Sequence, residues 1–172
     1  MHDAKQAALE RLLDAYAAWF DVQRDYEFAG CSFAGYAQYH AHGEQYVLVK
    51  RAKLWEADAH EHVFFAMEET LDSRRVQELS TFMTASALAK VDPAPPHMST
   101  ALTLVVLADE VTAEAERLVR KTRFRKNYLL GMRGWADVRL AAVDFSRKRA
   151  FSNGAGKELV SMLESRVFQG EW

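Results

Sequence analysis

The chain has 172 residues, of which 49% are hydrophobic and 12% aromatic, and its formal net charge is −2. This composition excludes an intrinsically disordered protein, and the length favours a single globular domain over residues 1–172. Because the overall charge is close to zero, any binding of nucleic acid must depend on a local cluster of cations.

The first predicted element is an amphipathic helix. Leu9, Leu12, Leu13, Tyr16 and Phe20 follow the 3.6-residue period of one apolar stripe. Charged residues interrupt the apolar positions of this segment, so we expect no secretory signal peptide.

Three segments after Gly30 are rich in aromatic and β-branched residues, which favours β-strands. They cover residues 32–39, 45–54 and 62–67. Their order predicts an antiparallel meander in which the middle segment lies between the other two.

The centre of the chain predicts a helix, a connector and a buried strand. The helix covers residues 71–90, with Asp72 or Ser73 as its N-cap. All three prolines lie within residues 92–97, which predicts a connector without regular structure. Residues 101–108 are apolar nearly throughout, which is typical of a strand buried on both faces in the middle of a sheet.

The last third predicts a helix capped by Asp109, strands over residues 123–133, 138–145 and 149–152, and a closing helix over residues 154–168. In the first of these strands, one alternating set is aromatic or apolar, which indicates a side that faces the core. This set comprises Phe124, Tyr128, Leu130 and Met132.

Together these elements predict an α/β (α+β) fold, a single mixed sheet of about five to seven strands flanked by about four helices. The longest apolar run is far shorter than the ~20 residues that span a bilayer, so we expect no membrane partner. The single cysteine, Cys31, excludes an internal disulfide and fits a reducing compartment. We therefore expect a cytoplasmic protein.

Charge is divided unevenly along the chain. Residues 1–72 carry 6 basic and 13 acidic groups (net −7), whereas residues 73–172 carry 16 and 11 (net +5). Eleven of the 22 Lys and Arg residues lie in residues 117–149, the basic segment, against two acids, Asp137 and Asp144.

The basic segment favours a site for a polyanion such as nucleic acid. Lys and Arg side chains bind phosphate groups and release counterions, and interleaved aromatic side chains can stack on bases. The candidate residues are Arg120, Lys121, Arg123, Arg125, Lys126, Arg147, Lys148 and Arg149. Two alternatives stay open. The arginines can pair with the acids of residues 1–72, or the two halves can attract each other between copies in a homodimer.

A family resemblance depends on three stretches of the chain: residues 46–56 (YVLVKRAKLWE), Gly134–Trp135 leading into residues 138–144 (VRLAAVD), and residues 153–159 (NGAGKEL). This set resembles a family of small uncharacterised prokaryotic proteins, and the resemblance extends over most of the chain from about Phe33 onward. It implies a bacterial or archaeal cytoplasmic protein of no known activity and transfers no site residue.

Two His-x-His pairs, His40/His42 and His60/His62, each offer two imidazoles to one face of a strand. In the predicted meander, however, the two pairs lie at opposite ends of the sheet, separated by the middle strand. We therefore do not expect the four histidines to share a metal ion.

The predicted order helix–strand–strand–strand–helix–strand resembles the core of the restriction-endonuclease-like fold, which implies a metal-dependent nuclease as an alternative. Such enzymes bind Mg²⁺ through an Asp on one strand and an acid-x-Lys pair on the next. Here Glu68 is followed two positions later by Thr70 in place of Lys, and Glu56 and Asp58 fall at a predicted break. We therefore expect a binding or accessory protein in preference to an enzyme, with no metal and no cofactor.

Overall fold

The computed structural model describes residues 2–39, 59–92, 99–132 and 134–169. Within these ranges the α-helices are α1 (His2–Tyr16), α2 (Ser73–Thr84), α3 (Ala113–Lys121) and α4 (Leu159–Val167). The strands are β1 (Asp21–Phe28), β2 (Cys31–Tyr39), β3 (Ala59–Leu71), β4 (Ser99–Val111), β5 (Arg125–Asn127), β6 (Trp135–Asp144) and β7 (Arg149–Ser152). Two short 3-10 helices, Ser86–Lys90 and Leu129–Gly131, follow α2 and β5.

The seven described strands form one mixed sheet in the order β1-β2-β3-β4-β6-β5, with β7 paired to β6. β3, β4 and β6 run parallel, and the other neighbours run antiparallel. The parallel pairs arise because α2 and α3 carry the chain back along the sheet before β4 and β6 begin. The predicted fold class is confirmed.

The centre of the sheet is β4, which lies between β3 and β6 and buries every side chain from Thr100 to Ala108. α2 and α3 pack on one face of the sheet, for example through Leu79 and Val119. α1 and α4 pack on the other face, for example through Leu12. Because both faces are covered, this strand is apolar nearly throughout, as predicted.

α1 is fixed against both β2 and α4. A Cβ atom at Gly35 of β2 would lie 3.0 Å from Cδ2 of Leu13, so glycine lets the helix approach the strand. Arg11 donates from Nε to the carbonyl of Arg166 at 2.9 Å and from a terminal nitrogen to that of Val167 at 2.6 Å. These carbonyls belong to the last turn of α4, where a cation also complements the helix dipole.

The predicted meander is wrong in its order of strands. The sequence analysis does not predict β1, whose polar, largely exposed edge position leaves little apolar alternation. β2 pairs directly with β3, and Tyr39 lies opposite Glu61. No middle strand therefore separates positions 39 and 61, so the premise for separating the two His-x-His pairs does not hold; His40 and His42 themselves lie outside the described residues. The predicted strand over residues 45–54 lies outside the described residues.

One of the two predicted helix caps is confirmed and the other is wrong. Asp72 caps α2 as predicted, because its Oδ1 accepts the Arg75 N–H at 2.8 Å. Asp109 does not cap α3, because β4 continues to Val111 and the Thr112 hydroxyl accepts the N–H of Ala115 at 3.2 Å.

Three other predicted elements differ in extent. α2 ends at Thr84 and continues as a 3-10 helix, and the closing helix begins at Leu159 after a turn. Most of the proline-rich connector lies outside the described residues. Of the predicted strand over residues 123–133, only Arg125–Asn127 is a strand. Its supposed core-facing residues are divided, because Phe124 packs against the core, whereas Leu130 is 99% exposed and Met132 86% exposed.

A buried ion pair joins α1 to the sheet, and its loss is expected to destabilise the protein. Lys5 donates to the carbonyl of Glu68 at 2.7 Å and lies 3.2 Å from Oδ2 of Asp109. We expect Lys5→Met to lower the free energy of unfolding by about 2 kcal/mol, because it leaves the Asp109 carboxylate unpaired. Urea denaturation measures this loss.

The double variant Lys5→Met/Asp109→Asn removes both charges and serves as the control. We expect it to recover more than half of the lost stability, since an unpaired charge no longer has to be accommodated. If the double variant loses as much free energy of unfolding as its two single variants together, Lys5 and Asp109 do not stabilise the protein as a pair.

Candidate functional site

Three arginines of the basic segment converge on Glu116, the residue just before that segment. Its carboxylate lies 2.9 Å from Arg120, 2.9 Å from Arg147 and 2.7 Å from Arg149. Burial alone would raise the pKa of Glu116, but hydrogen bonds from Arg120 and Arg147 and the nearby charges outweigh it, so this pKa is lowered. Glu116 therefore stays ionised and neutralises much of this cluster.

The two acids inside the basic segment also pair with arginines of that segment. Asp144, fully buried, accepts Nε of Arg147 at 2.6 Å, and Asp137 accepts Nε of Arg125 at 2.6 Å. The hydrogen bond that Arg125 donates to Asp137, together with the charge of that carboxylate, raises the pKa of Arg125 although desolvation opposes the change.

For four of the eight candidate residues, the alternative of pairing with the acids of residues 1–72 is not what the structure shows. Arg120, Arg125, Arg147 and Arg149 bind Glu116, Asp137 or Asp144 instead. Elsewhere in the basic segment, Arg139 lies 4.0 Å from Glu61. Glu116 lies close to Arg147 and Arg149 in space because strand β6, the turn after it and β7 return the chain beside α3.

The other four candidate residues, Lys121, Arg123, Lys126 and Lys148, are exposed. Within the described ranges, Lys121, Arg123 and Lys126 show no ion pair with an acid, and Lys126 lies 5.4 Å from the centre of the Tyr128 ring. The structure thus pairs four candidates with nearby acids and leaves Lys121, Arg123 and Lys126 without an ion pair in the described ranges.

Arg123 lines an open cleft of about 640 Å³ between the end of α3 and the start of α4. The other charged residues of this cleft are Arg120, Lys157 and Glu164. The wall also includes Phe151, Ser152, Asn153, Gly154, Val160 and Ser161. We call this the cationic cleft. Arg123 also lines an adjoining concavity of about 280 Å³.

Asn153 holds the elements of the cationic cleft together. Its side chain donates to the carbonyls of Thr122 and Val138, both at 3.0 Å. Its Oδ1 accepts the N–H of Leu140 at 3.1 Å and that of Gly156 at 2.9 Å. All of its hydrogen-bonding capacity is used in a side chain that is 2% exposed. The end of α3, β6 and the turn before α4 are therefore fixed relative to one another.

The sequence analysis overlooked Lys157, because it lies outside the basic segment. The available signal was the glycine-rich run 153–156 before a helix. Gly156 N–H donates to Asn153, and Lys157 N–H lies 3.4 Å from the Gly154 carbonyl. These amides close a turn, so the cations of the cleft come from side chains.

The family model described as Domain of unknown function (DUF8052) matches residues 4–165. The chain belongs to this family. No curated protein and no solved structure matches it. Membership of the DUF8052 family supports the resemblance to an uncharacterised family and carries no activity with it.

The histidines and acids considered for metal binding do not form a site within the described ranges. No group of three or more His, Cys, Asp and Glu side chains there could hold a metal ion. His62 is buried and its Nδ1 lies 2.6 Å from the hydroxyl of Tyr36, whose pKa is raised, chiefly by burial. His40, His42, Glu56 and Asp58 lie outside the described residues.

Within the described ranges, every helix of this DUF8052 protein falls short of the length and apolarity needed to span a bilayer.

Proposed function

We propose that this protein is a binding or accessory module, and not an enzyme, that binds a phosphate-bearing polyanion in the cationic cleft. The observation that carries the proposal is that Arg123 and Lys157 both line one open cleft. The two residues come from different elements, and neither forms an ion pair with an acid in the described part of the chain.

The surroundings of these cations support an anionic ligand. Arg120 lies over the Phe151 ring, 5.3 Å from its centre, and is held by Glu116 at 2.9 Å. The acid of the cleft, Glu164, accepts the N–H of Ala150 at 2.9 Å. The positions of Arg120 and Glu164 are thus fixed by partners, whereas Arg123 and Lys157 can turn towards a ligand.

A phosphate backbone fits this arrangement better than a single small ion. Two exposed cations in an open cleft give modest affinity and a salt-dependent interaction, which is typical of contacts to nucleic-acid phosphates. The adjoining concavity at Arg123 extends the surface available to such a chain. We place the module in the cytoplasm of a prokaryote, supported by the single cysteine and by the family resemblance.

Charge reversal in the cleft tests the proposal. We expect Arg123→Glu/Lys157→Glu to weaken binding of a labelled single- or double-stranded oligonucleotide by about tenfold or more at low salt. Fluorescence anisotropy measures the affinity. For the unmodified protein, the logarithm of the binding constant should fall with the logarithm of salt concentration with a slope of about −2 to −3.

Arg74→Glu is the matched control, because Arg74 is an exposed cation on α2 outside the cleft. It reverses one charge, as each substitution of the cleft variant does, but at a surface ion pair, so we expect no more than a small loss of affinity. Equal losses in the control and the cleft variant, or no binding of either oligonucleotide at low salt, would refute the proposed function.

A further inference from the structure

The hairpin between β5 and β6 ends in an apolar tip that projects from the protein. Leu129 is 61% exposed, Leu130 99% exposed and Met132 86% exposed. Large apolar side chains at consecutive positions are rarely left in water unless they contact a partner. We call these three residues the apolar tip.

The backbone holds the apolar tip in a defined and strained conformation. Leu129 and Leu130 have φ angles of 48° and 54°, in the left-handed region that side chains other than glycine and asparagine avoid. Four backbone hydrogen bonds close the turn, including Tyr128 N–H to the Gly134 carbonyl and Met132 N–H to the Leu129 carbonyl, both at 3.0 Å. The exposure is therefore built into the hairpin, and strain of this kind often accompanies a binding function.

Cations lie directly beside the apolar tip. Lys126, on the strand that leads into it, is exposed and shows no ion pair with an acid in the described ranges, whereas its exposed neighbour Arg125 is paired with Asp137. Arg125 lies over the ring of Trp135, 5.2 Å from its centre, on the strand that leaves the tip. An apolar point with neighbouring positive charge matches the two layers of an anionic membrane surface, acyl chains below and charged headgroups above.

From this juxtaposition we infer that the apolar tip docks on an anionic lipid bilayer. Leu129, Leu130 and Met132 enter the headgroup and upper acyl region, while Lys126 contacts anionic headgroups. Contact of this kind needs no helix that spans the bilayer. It differs from the expectation that the protein has no membrane partner, which depended on the absence of a spanning segment.

A second copy of the chain fits the tip less well than a bilayer. In a two-fold symmetric contact the same patch meets itself, so Lys126 and its neighbours would face their own counterparts. Like charges at close range oppose such a contact. A bilayer, by contrast, presents anionic headgroups to these cations and accepts a convex tip without a matching pocket.

Flotation with lipid vesicles tests the inference. We expect the protein to float with vesicles of phosphatidylcholine and phosphatidylglycerol and to bind vesicles of phosphatidylcholine alone much more weakly. In Leu129→Asn/Leu130→Asn the partition coefficient should fall by about tenfold or more, the factor associated with burying a large apolar side chain. Asparagine tolerates the left-handed region and both leucines are exposed, so the melting temperature should not fall.

Two further variants separate the contributions to binding. Lys126→Glu should lower the preference for phosphatidylglycerol by about fivefold or more. Leu130→Phe, which keeps the tip apolar, should retain binding. The inference is overturned if the unmodified protein does not float, or if the asparagine variant binds as well as the unmodified protein. It is also overturned if ultracentrifugation shows a dimer that the asparagine variant loses while vesicle binding stays negligible.

This test is independent of the cationic cleft. Arg123→Glu/Lys157→Glu should impair oligonucleotide binding and leave the apolar contribution to flotation intact, whereas the asparagine variant should do the opposite. The proposed nucleic-acid binding and the proposed membrane docking can therefore be refuted separately.

Discussion

Replacing Asn153 by aspartate is expected to lower the free energy of unfolding by about 4 kcal/mol. The buried amide nitrogen donates to the carbonyls of Thr122 and Val138, both at 3.0 Å. An aspartate would place a carboxylate oxygen against these two carbonyl oxygens at a position that is only 2% exposed. Urea denaturation measures the change, and the variant should also lose the alignment of Arg123 with Lys157.

Asn127→Asp is the matched control, because it makes the same chemical change on the exposed edge strand β5. We expect its stability to stay within about 0.5 kcal/mol of the unmodified protein. A second variant, Asn153→Ala, removes the amide without adding charge and should be intermediate. If Asn153→Asp proves as stable as Asn127→Asp, the four hydrogen bonds do not hold the cleft together.

Loss of the Asp144 carboxylate is the second change with a large expected effect. This fully buried group accepts the Ser146 hydroxyl and Arg147 Nε, each at 2.6 Å. It also accepts the backbone N–H of Val111 at 3.3 Å. We expect Asp144→Ala to lower the free energy of unfolding by about 3 kcal/mol, because these donors lose their acceptor inside the protein.

The same carboxylate makes stability depend on pH. Burial opposes ionisation of Asp144, but the hydrogen bonds from Ser146 and Arg147 outweigh it and its folded-state pKa is lowered. A lowered folded pKa means that the stabilisation is present above the unfolded pKa of about 4 and is lost as the pH falls through the folded value. We expect the unmodified protein to lose stability below about pH 5, and Asp144→Asn to show a shallower decline.

Asp137→Asn is the control for this pair of measurements. Its partner Arg125 is 56% exposed, so solvent screens the ion pair and the change should cost less than about 1 kcal/mol. Equal effects of Asp137→Asn and Asp144→Asn on stability and on its pH dependence would show that burial does not increase the contribution of Asp144 to stability.

The fold could be predicted where burial imposes a pattern on the sequence. The run 101–108 had to be a central strand, because only burial on both faces tolerates so many consecutive apolar side chains. The edge strand β1 is the opposite case: solvent accepts its charged side chains, so the sequence carries no clear period. Prediction of strand order failed for a different reason, since residues 45–54 were placed between β2 and β3, which pair directly.

The site could be predicted only in part, because a count of charged residues does not show which side chains lie close together in the fold. Glu116 lies one position before the basic segment and binds three of its arginines. Lys157 lies eight positions after that segment and enters the cleft. The alternation of side chains also gave a wrong prediction at Leu130, which was expected to face the core from a strand. A left-handed turn replaces that strand, and the side chain is exposed to solvent.

The contact between α1 and α4 affects the order in which the protein can be completed during synthesis. Arg11 donates to carbonyls of Arg166 and Val167, about 155 positions away in the chain. A ribosome releases the first helix long before the last one, so the growing chain exposes the side of α1 that α4 later covers. The part of α1 that contacts α4 is then available to chaperones until the closing helix emerges, and docking of the two helices must follow synthesis of the strands between them.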